Sequence, residues 1–176
     1  MKICNLTQTF YENFECSVIL KKSVSEPFTV KSGVRQGCIL SPILFLIVID
    51  WVQRQTTADK KRGIQWTMFS NLEDLDFADD LAEISRNISH LQEKTDRLNK
   101  FAKRVGLNIS TKKTKVMTIN ALVEPVVLNE EPLEKVEDFT YLGSILGKDN
   151  GAGKDSKARL NKGRAIFACA RTHLES

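Results

Sequence analysis

The sequence lacks the residue patterns that indicate a zinc site, a disulfide framework or a membrane span. Four cysteines are present: Cys4, Cys16, Cys38 and Cys169. They form no Cys-x-x-Cys pair, and there are only two histidines. Unpaired cysteines are typical of a reducing compartment, so we expect an intracellular protein. The longest apolar run, around Ile43 to Ile49, is too short to cross a bilayer, and we expect no membrane partner.

Acidic residues are scarce over two long segments. Residues 94–115 contain eight Lys or Arg against Asp96, and residues 148–171 contain seven against Asp149 and Asp155. Such blocks suit a polyanionic partner, although for either block alone the solvated face of a helix is the favoured interpretation. With 176 residues, of which 41% are hydrophobic, the chain can form one soluble domain with a core.

Acidic residues are instead concentrated between residues 73 and 83, where six acids occur without a base. Leu75 and Phe77 alternate with Asp74 and Asp76, which is the period of a half-buried strand. Residues 81–85 can return as a second strand. The pattern therefore predicts a hairpin whose turn is formed by residues 78–80.

The predicted turn holds two adjacent carboxylates, those of Asp79 and Asp80. Their repulsion would raise their pKa values unless a cation lay between them. Oxygen ligands of this kind suit Mg²⁺, with Mn²⁺ as a possible substitute, and Mg²⁺ is usually held by one or two carboxylates plus substrate phosphates. The alternative is a solvated turn, which is what an isolated Asp-Asp pair ordinarily forms.

A second segment of interest is SGVRQGCILS, residues 32–41, which leads into an apolar block. Gly37 would let a ligand approach the backbone closely, and Arg35 and Gln36 offer donors to a phosphate or a base edge. A glycine-punctuated loop before a buried helix is the alternative. Pro42 after a serine predicts that a helix begins there and runs to about Thr57.

The clearest helical pattern extends from Ile88 to Val105. Asn87 or Ser89 can cap its start, and Gly106 is placed to end it. Its opposite face is expected to carry Lys94, Arg97, Lys100, Lys103 and Arg104. Strands are expected at residues 14–20, 28–31, 64–69, 107–109, 115–119, 126–128 and 139–145, and a further helix at residues 157–174.

Four motifs occur in this order: SGVRQGCILSPILF, LDFADD, GLNISTKKTKVM and FTYLGS. Together they resemble the palm-domain motif series of reverse transcriptases, specifically those of non-LTR (LINE-type) retrotransposons. The resemblance extends from about Phe28 to Ser144 and implies an RNA-directed DNA polymerase. Its fold would be an α+β palm, a small and mainly antiparallel sheet backed by helices, with the Asp79-Asp80 hairpin near the sheet's centre.

The resemblance also implies roles for individual residues. Asp79 and Asp80 would be catalytic and would bind magnesium; two such ions about 3.5–4 Å apart activate the primer 3′-hydroxyl and stabilise the leaving pyrophosphate. Arg35, Gln36, Gly37 and Lys113 would contact the nucleotide, with Lys112 and Lys115 as neighbours of Lys113. Tyr141, Leu142 and Gly143 would grip the primer terminus. The implied partners are an RNA template, a DNA primer and deoxynucleoside triphosphates, in the cytoplasm or nucleus.

The sequence departs from the family pattern at its start. Enzymes that the motifs resemble carry another catalytic aspartate upstream of the Gly-Val-Arg-Gln-Gly segment, and here no aspartate precedes Asp50. We therefore expect a palm-domain fragment with incomplete fingers and thumb that is inactive alone. Its expected parts are residual upstream strands (1–31), a palm core (32–146) and the start of a thumb helix (147–176). The alternatives are a non-catalytic nucleic-acid-binding module and a non-functional remnant of a mobile element.

Overall fold

The computed structural model describes residues 2–30, 33–119, 124–148 and 152–174, with side chains of the last helix described for residues 153–164. The chain divides into two compact units, residues 1–48 and 49–176, and the division falls inside one helix. Each unit is described separately. The predicted boundaries after residues 31 and 146 remain predictions; residues 31–32 and 149–151 lie outside the described residues.

The first unit begins with helix α1 (Lys2–Tyr11), which the sequence analysis did not predict. A nested hairpin follows: β1 (Glu15–Cys16) pairs with β4 (Phe28–Thr29), and β2 (Ile19–Leu20) pairs with β3 (Ser23–Val24). The chain therefore reverses at residues 21–22, and the predicted strand 14–20 is interrupted at residues 17–18. Between the two strand pairs, Val18 N donates a hydrogen bond to the Ser25 side chain, with Oγ at 2.9 Å.

Helix α2 (Leu40–Thr57) confirms the predicted helix and begins two residues before Pro42. In the second unit, Val52 and Thr56 on this helix are buried. The C-terminal carbonyls of α2 are satisfied from another helix: Arg97 Nε donates to Thr56 O at 2.9 Å, and Arg97 also donates to Gln55 O at 2.5 Å. This side chain completes hydrogen bonds that a helix end leaves open.

Helix α3 (Ile88–Arg104) confirms the clearest sequence prediction. Asn87 caps it, since its side chain accepts a hydrogen bond from His90 N at 2.8 Å. At the other end, Gly106 N donates to Lys103 O and Leu107 N donates to Ala102 O, which is a Schellman motif. No strand forms at residues 107–109, and that prediction was wrong because the cap uses the Leu107 N–H.

The remaining strands are short. They are β5 (Ile64–Gln65), β6 (Asn71–Leu72), β7 (Asp74–Phe77), β8 (Asp80–Glu83), β9 (Lys115–Met117), β10 (Val127–Leu128), β11 (Glu131–Pro132), β12 (Glu134–Val136), β13 (Asp138–Tyr141) and β14 (Ser144–Gly147). Helix α4 (Ala152–Leu174) follows and begins earlier than the predicted residue 157.

The strands of the described residues form seven two-stranded pairs, of which only β9 with β12 is parallel. The fold is thus α+β with small, mostly antiparallel sheets, whereas the prediction was one sheet. Because the strands are short, each ladder contains only two to four residue pairs, which leaves little backbone to form hydrogen bonds with a third strand. The main apolar core gathers Val116, Val126, Leu128 and Leu133 against α3. No helix in the described ranges is long and apolar enough to span a membrane.

Candidate active site

The acidic stretch folds as the predicted hairpin. Strands β7 and β8 are antiparallel, with Asp74 opposite Glu83 and Phe77 opposite Asp80. The turn contains only Ala78 and Asp79, so Asp80 is the first residue of the return strand rather than part of the turn. Ala78 has φ 56°, a left-handed conformation that costs a residue with a Cβ about 1 kcal/mol or more.

Three carboxylates at the tip of this hairpin, those of Asp76, Asp79 and Asp80, are exposed. No hydrogen bond or ion pair reaches them from any residue that the structure describes. The oxygen donors of the adjacent Asp79 and Asp80 fit Mg²⁺, which takes one or two carboxylates and completes its shell with phosphates and water. Within the described ranges no three His, Cys, Asp or Glu side chains form a metal-binding group.

The base of the hairpin carries a cation that sequence reasoning assigned to the wrong surface. Lys94 of α3 is 1% exposed, and its Nζ lies 3.3 Å from Glu73 Oε2 and 3.2 Å from Glu83 Oε2. The expectation that Lys94 lies on the solvent face was therefore wrong. Its helical spacing to the buried Leu98 and Ala102 was the signal that could have found it.

Burial changes the acidity of two carboxyls beside this lysine. Removal from water raises the pKa of Glu83 above its ordinary value, and the nearby charge of Lys94 opposes that rise without cancelling it. The pKa of Asp74 is also raised, first by burial and then by Asp76 and Glu73, against the effect of Lys94. Protonation of these groups is therefore easier in the folded chain than in the unfolded chain.

The predicted primer-gripping segment forms the tip of a second hairpin. Strands β13 and β14 pair with Tyr141 opposite Ser144, and Leu142 and Gly143 form a two-residue turn with φ 49° and 82°. Positive φ at both central residues is the requirement of a type I′ turn, which Gly143 meets without strain and Leu142 does not. Leu142 is nonetheless 52% exposed, so packing does not explain its presence.

The two hairpin tips lie close enough to interact electrostatically. The pKa of Tyr141 is raised by burial of its phenol, then by the charges of Asp76 and Asp80. A carboxylate disfavours a phenolate nearby because the two negative charges repel. The charge of Asp80, a predicted metal ligand, thus acts on Tyr141, which is predicted at the primer terminus.

In the first unit, the Arg35-Gln36-Gly37 segment forms a tight turn. Cys38 N donates to Arg35 O at 3.3 Å, and Gly37 has φ 81° at the third position, where a type II turn requires glycine or asparagine. A Cβ on Gly37 would meet nothing within 4 Å, so the turn needs glycine for its φ. Gln36 is exposed.

The Arg35 side chain folds back onto its own unit. Its guanidinium carbon lies 4.1 Å from the centroid of the Phe14 ring and 5.7 Å from that of Tyr11, and it donates to Phe10 O at 2.6 Å. Arg35 Nε is buried and has no partner among the described atoms. Contact with a nucleotide would require this side chain to leave the Phe14 ring.

Lys113 lies exposed in a turn, where its backbone N donates to Ser110 O at 3.2 Å. No described contact joins its side chain to the acidic hairpin. Of its neighbours, Lys115 forms an ion pair with Glu134, whereas Lys112 is exposed. This pairing leaves Lys112 and Lys113 as the cations of the segment available to a phosphate.

The proximity of the two tips predicts a change in the acidity of Tyr141. In a Tyr11→Phe background Tyr141 is the single tyrosine, because the chain has two. Asp80→Asn should lower the Tyr141 pKa toward its ordinary value of 10.0, since a repelling charge is removed. Spectrophotometric titration of the phenolate measures this. Asp96→Asn, which removes an exposed carboxylate from α3, should leave the pKa unchanged; equal values for both variants would contradict the proximity.

The raised pKa of Glu83 predicts a pH dependence of stability. Its contribution is fully present below its ordinary pKa of 4.5 and is lost as the pH rises through the higher folded value. Urea unfolding between pH 4.5 and about 7 should show the parent losing stability relative to Glu83→Gln. Asp59 and Glu93, whose pKa values Arg62 lowers, stay ionised over this range. A constant difference between parent and variant would contradict the prediction.

A comparison with known protein families bears on both hairpins. The family model described as reverse transcriptase (RNA-dependent DNA polymerase) matches residues 2–146, which covers both hairpin tips and extends upstream of Phe28, where the motif resemblance begins. The chain belongs to the reverse transcriptase family, whose members are RNA-dependent DNA polymerases.

Proposed function

We propose that this chain carries the nucleotidyl-transfer site of a reverse transcriptase of the non-LTR (LINE-type) kind, with an RNA template, a DNA primer and deoxynucleoside triphosphates as partners. Family membership supports the polymerase class. The LINE-type assignment is supported by the four motifs and their order. The proposed place of action is inside the cell, in the cytoplasm or nucleus.

The observation that carries the proposal is the geometry of the acidic hairpin, whose tip presents the exposed carboxylates of Asp76, Asp79 and Asp80 without a described hydrogen-bond or ion-pair partner. The negative charges of Asp76 and Asp80 also raise the pKa of Tyr141, after burial of its phenol. In template-directed synthesis the primer terminus has to lie beside the group that activates it, because catalysis depends on positioning and on stabilising charge. The effect of the Asp76 and Asp80 charges on Tyr141 supports a primer-gripping turn in the electrostatic field of a metal-binding hairpin.

Each part of the site has a chemical task. Asp79 and Asp80 would bind magnesium, which when bound supplies positive charge for the 3′-hydroxyl and the leaving pyrophosphate. Residues 141–143 hold the primer terminus in line with the nucleotide. Lys113 offers a cation to the nucleotide phosphates. Within the first unit, the motif resemblance assigns a nucleotide contact to the Gln36-Gly37 turn.

The carboxylates of the 176-residue chain leave this site short of one ligand. The motif series calls for a third carboxylate upstream, and no aspartate precedes Asp50. We therefore propose that these residues alone bind metal through the hairpin without completing the two-metal arrangement. A third carboxylate supplied from elsewhere would be required for turnover.

A non-catalytic nucleic-acid-binding role is the second candidate, and a group on α3 favours it. The Arg104 guanidinium lies 5.8 Å from the ring centroids of both Trp51 and Phe101, and Lys100 Nζ lies 5.9 Å from that of Phe101. Aromatic rings with cations can stack bases and contact phosphates. A non-catalytic module of this kind would bind nucleic acid more weakly as the salt concentration rises, and its binding would survive replacement of Asp79 and Asp80.

The proposed metal site predicts a selective loss of binding. Titration calorimetry with Mn²⁺ and a primer-template should detect binding to the parent chain, weakened at least about tenfold in Asp79→Asn, Asp80→Asn, because the carboxylate ligands are gone. The matched control is Glu130→Gln, Glu131→Gln, which removes adjacent exposed acids from corresponding positions of the β10–β11 hairpin. Equal binding by both double variants would contradict the metal site.

The missing ligand predicts the outcome of an activity assay. The purified chain should not extend a DNA primer on an RNA template with Mg²⁺ and all four deoxynucleoside triphosphates, because two carboxylates alone do not hold the metals in place. Gel analysis of a labelled primer measures this. Extension that disappears in Asp79→Ala would show that the chain is a complete polymerase site.

A further inference from the structure

Lys94 makes contacts that go beyond neutralising the acids around it. A lysine is almost never fully buried unless it is paired, and this one is 1% exposed. Its Nζ donates to two backbone carbonyls, Glu73 O at 2.5 Å and Ile84 O at 3.0 Å. The same nitrogen lies within 3.3 Å of the Glu73 and Glu83 carboxylates.

These two carbonyls belong to opposite arms of the acidic hairpin. Glu73 immediately precedes β7, and Ile84 immediately follows β8. The arms are also joined there by a hydrogen bond from Ile84 N to Glu73 O, 2.9 Å long. The ammonium group therefore binds both arms at the open end of the hairpin and joins them to α3.

Strand pairing and apolar packing give the hairpin little support, and its base is also held by hydrogen bonds from Arg62 N and Gly63 N to the Glu73 carboxylate. No third strand pairs with it among the described residues. Its apolar side chains Leu75 and Phe77 are 42% and 64% exposed, so packing holds them weakly. An isolated two-stranded hairpin is marginal in water. Helix α3, by contrast, is capped at both ends and packs on the main core, which makes it a rigid support.

We propose that Lys94 is a positioning residue for the tip carboxylates. By fixing the base of the hairpin on α3, it sets the direction in which Asp79 and Asp80 project. The inference rests on the proposed function in one respect, because it takes these carboxylates to be metal ligands. Charge neutralisation alone would not require the two carbonyl bonds, and this difference allows a test.

The test separates the charge of Lys94 from its contacts with the backbone. Lys94→Met alone leaves buried carboxylates without a cation, which can unfold the chain. Lys94→Met combined with Glu83→Gln removes cation and buried acid together. The Glu73 carboxylate keeps its hydrogen bonds from Arg62 N at 3.0 Å and Gly63 N at 2.7 Å. Lys103→Met, at an exposed position on the same helix, is the control for lost charge.

Two measurements on the folded 176-residue chain decide the question. In the double variant, cooperative thermal unfolding should persist, while the backbone amide resonances of Ala78 and Asp79 should move from their parent positions. Mn²⁺ binding should weaken about tenfold to a hundredfold, the usual effect of losing a group that orients metal ligands. Lys103→Met and Glu83→Gln alone should retain parent tip resonances and parent Mn²⁺ affinity.

The contrary outcomes are equally decisive. Parent-like tip resonances in the folded double variant would overturn the proposal, because Lys94 would then only neutralise Glu83. Loss of the folded state in the double variant, with Glu83→Gln still folded, would also overturn it and make Lys94 a structural residue. If the parent itself fails to bind Mn²⁺, the proposed function fails, whereas the tip resonances still decide the role of Lys94.

Discussion

The ammonium group of Lys94, buried among the oxygens of Glu73, Glu83 and Ile84, is the interaction on which the acidic hairpin depends. It divides the acidic stretch into two parts with different properties. The acids at the base share a cation and lie away from water. The acids at the tip have no described partner and remain available to a ligand. A local cluster of six acidic residues is tolerated because the acids at the hairpin base lie beside the ammonium group of Lys94.

Helix α3 organises the second unit through polar side chains as much as through its apolar face. Gln92 pairs with β10 as a strand would, since it accepts from Val127 N at 2.7 Å and donates to Val127 O at 2.8 Å. Arg97 completes the end of α2, and Lys94 closes the acidic hairpin. Each side chain satisfies backbone groups that short strands or helix ends leave open. Side chains of this one capped helix thus make hydrogen bonds that neighbouring strands would make in a larger sheet.

Local signals made much of this fold predictable from the sequence. The Asn87 cap, the Gly106 stop and the alternation around Asp76 each act over a few residues, and the structure confirms the elements that they predicted. The strand expected at residues 107–109 failed because the helix cap used the same backbone groups.

Interactions across long sequence separations were harder to foresee. The charge of Lys94 favours a solvent position, whereas its helical spacing to Leu98 favours the buried position that the structure shows. The effect of the Asp80 charge on Tyr141 joins residues that are far apart in the sequence, and no local pattern encodes it. The motif resemblance implies one site for both residues, and that assignment stays a prediction.

The two hairpins share a construction that explains how their tips keep costly conformations. Ala78 and Leu142 both adopt left-handed φ values without being glycine, and such strain persists only where the surrounding structure fixes it. Lys94 fixes the base of the first hairpin. At the second, Lys154 of α4 forms an ion pair with Asp138 at the base, and Asp155 accepts from Ile145 N at 2.9 Å, nearer the tip. A helix therefore contacts the base of each hairpin, and the residues with left-handed φ values lie at the tips.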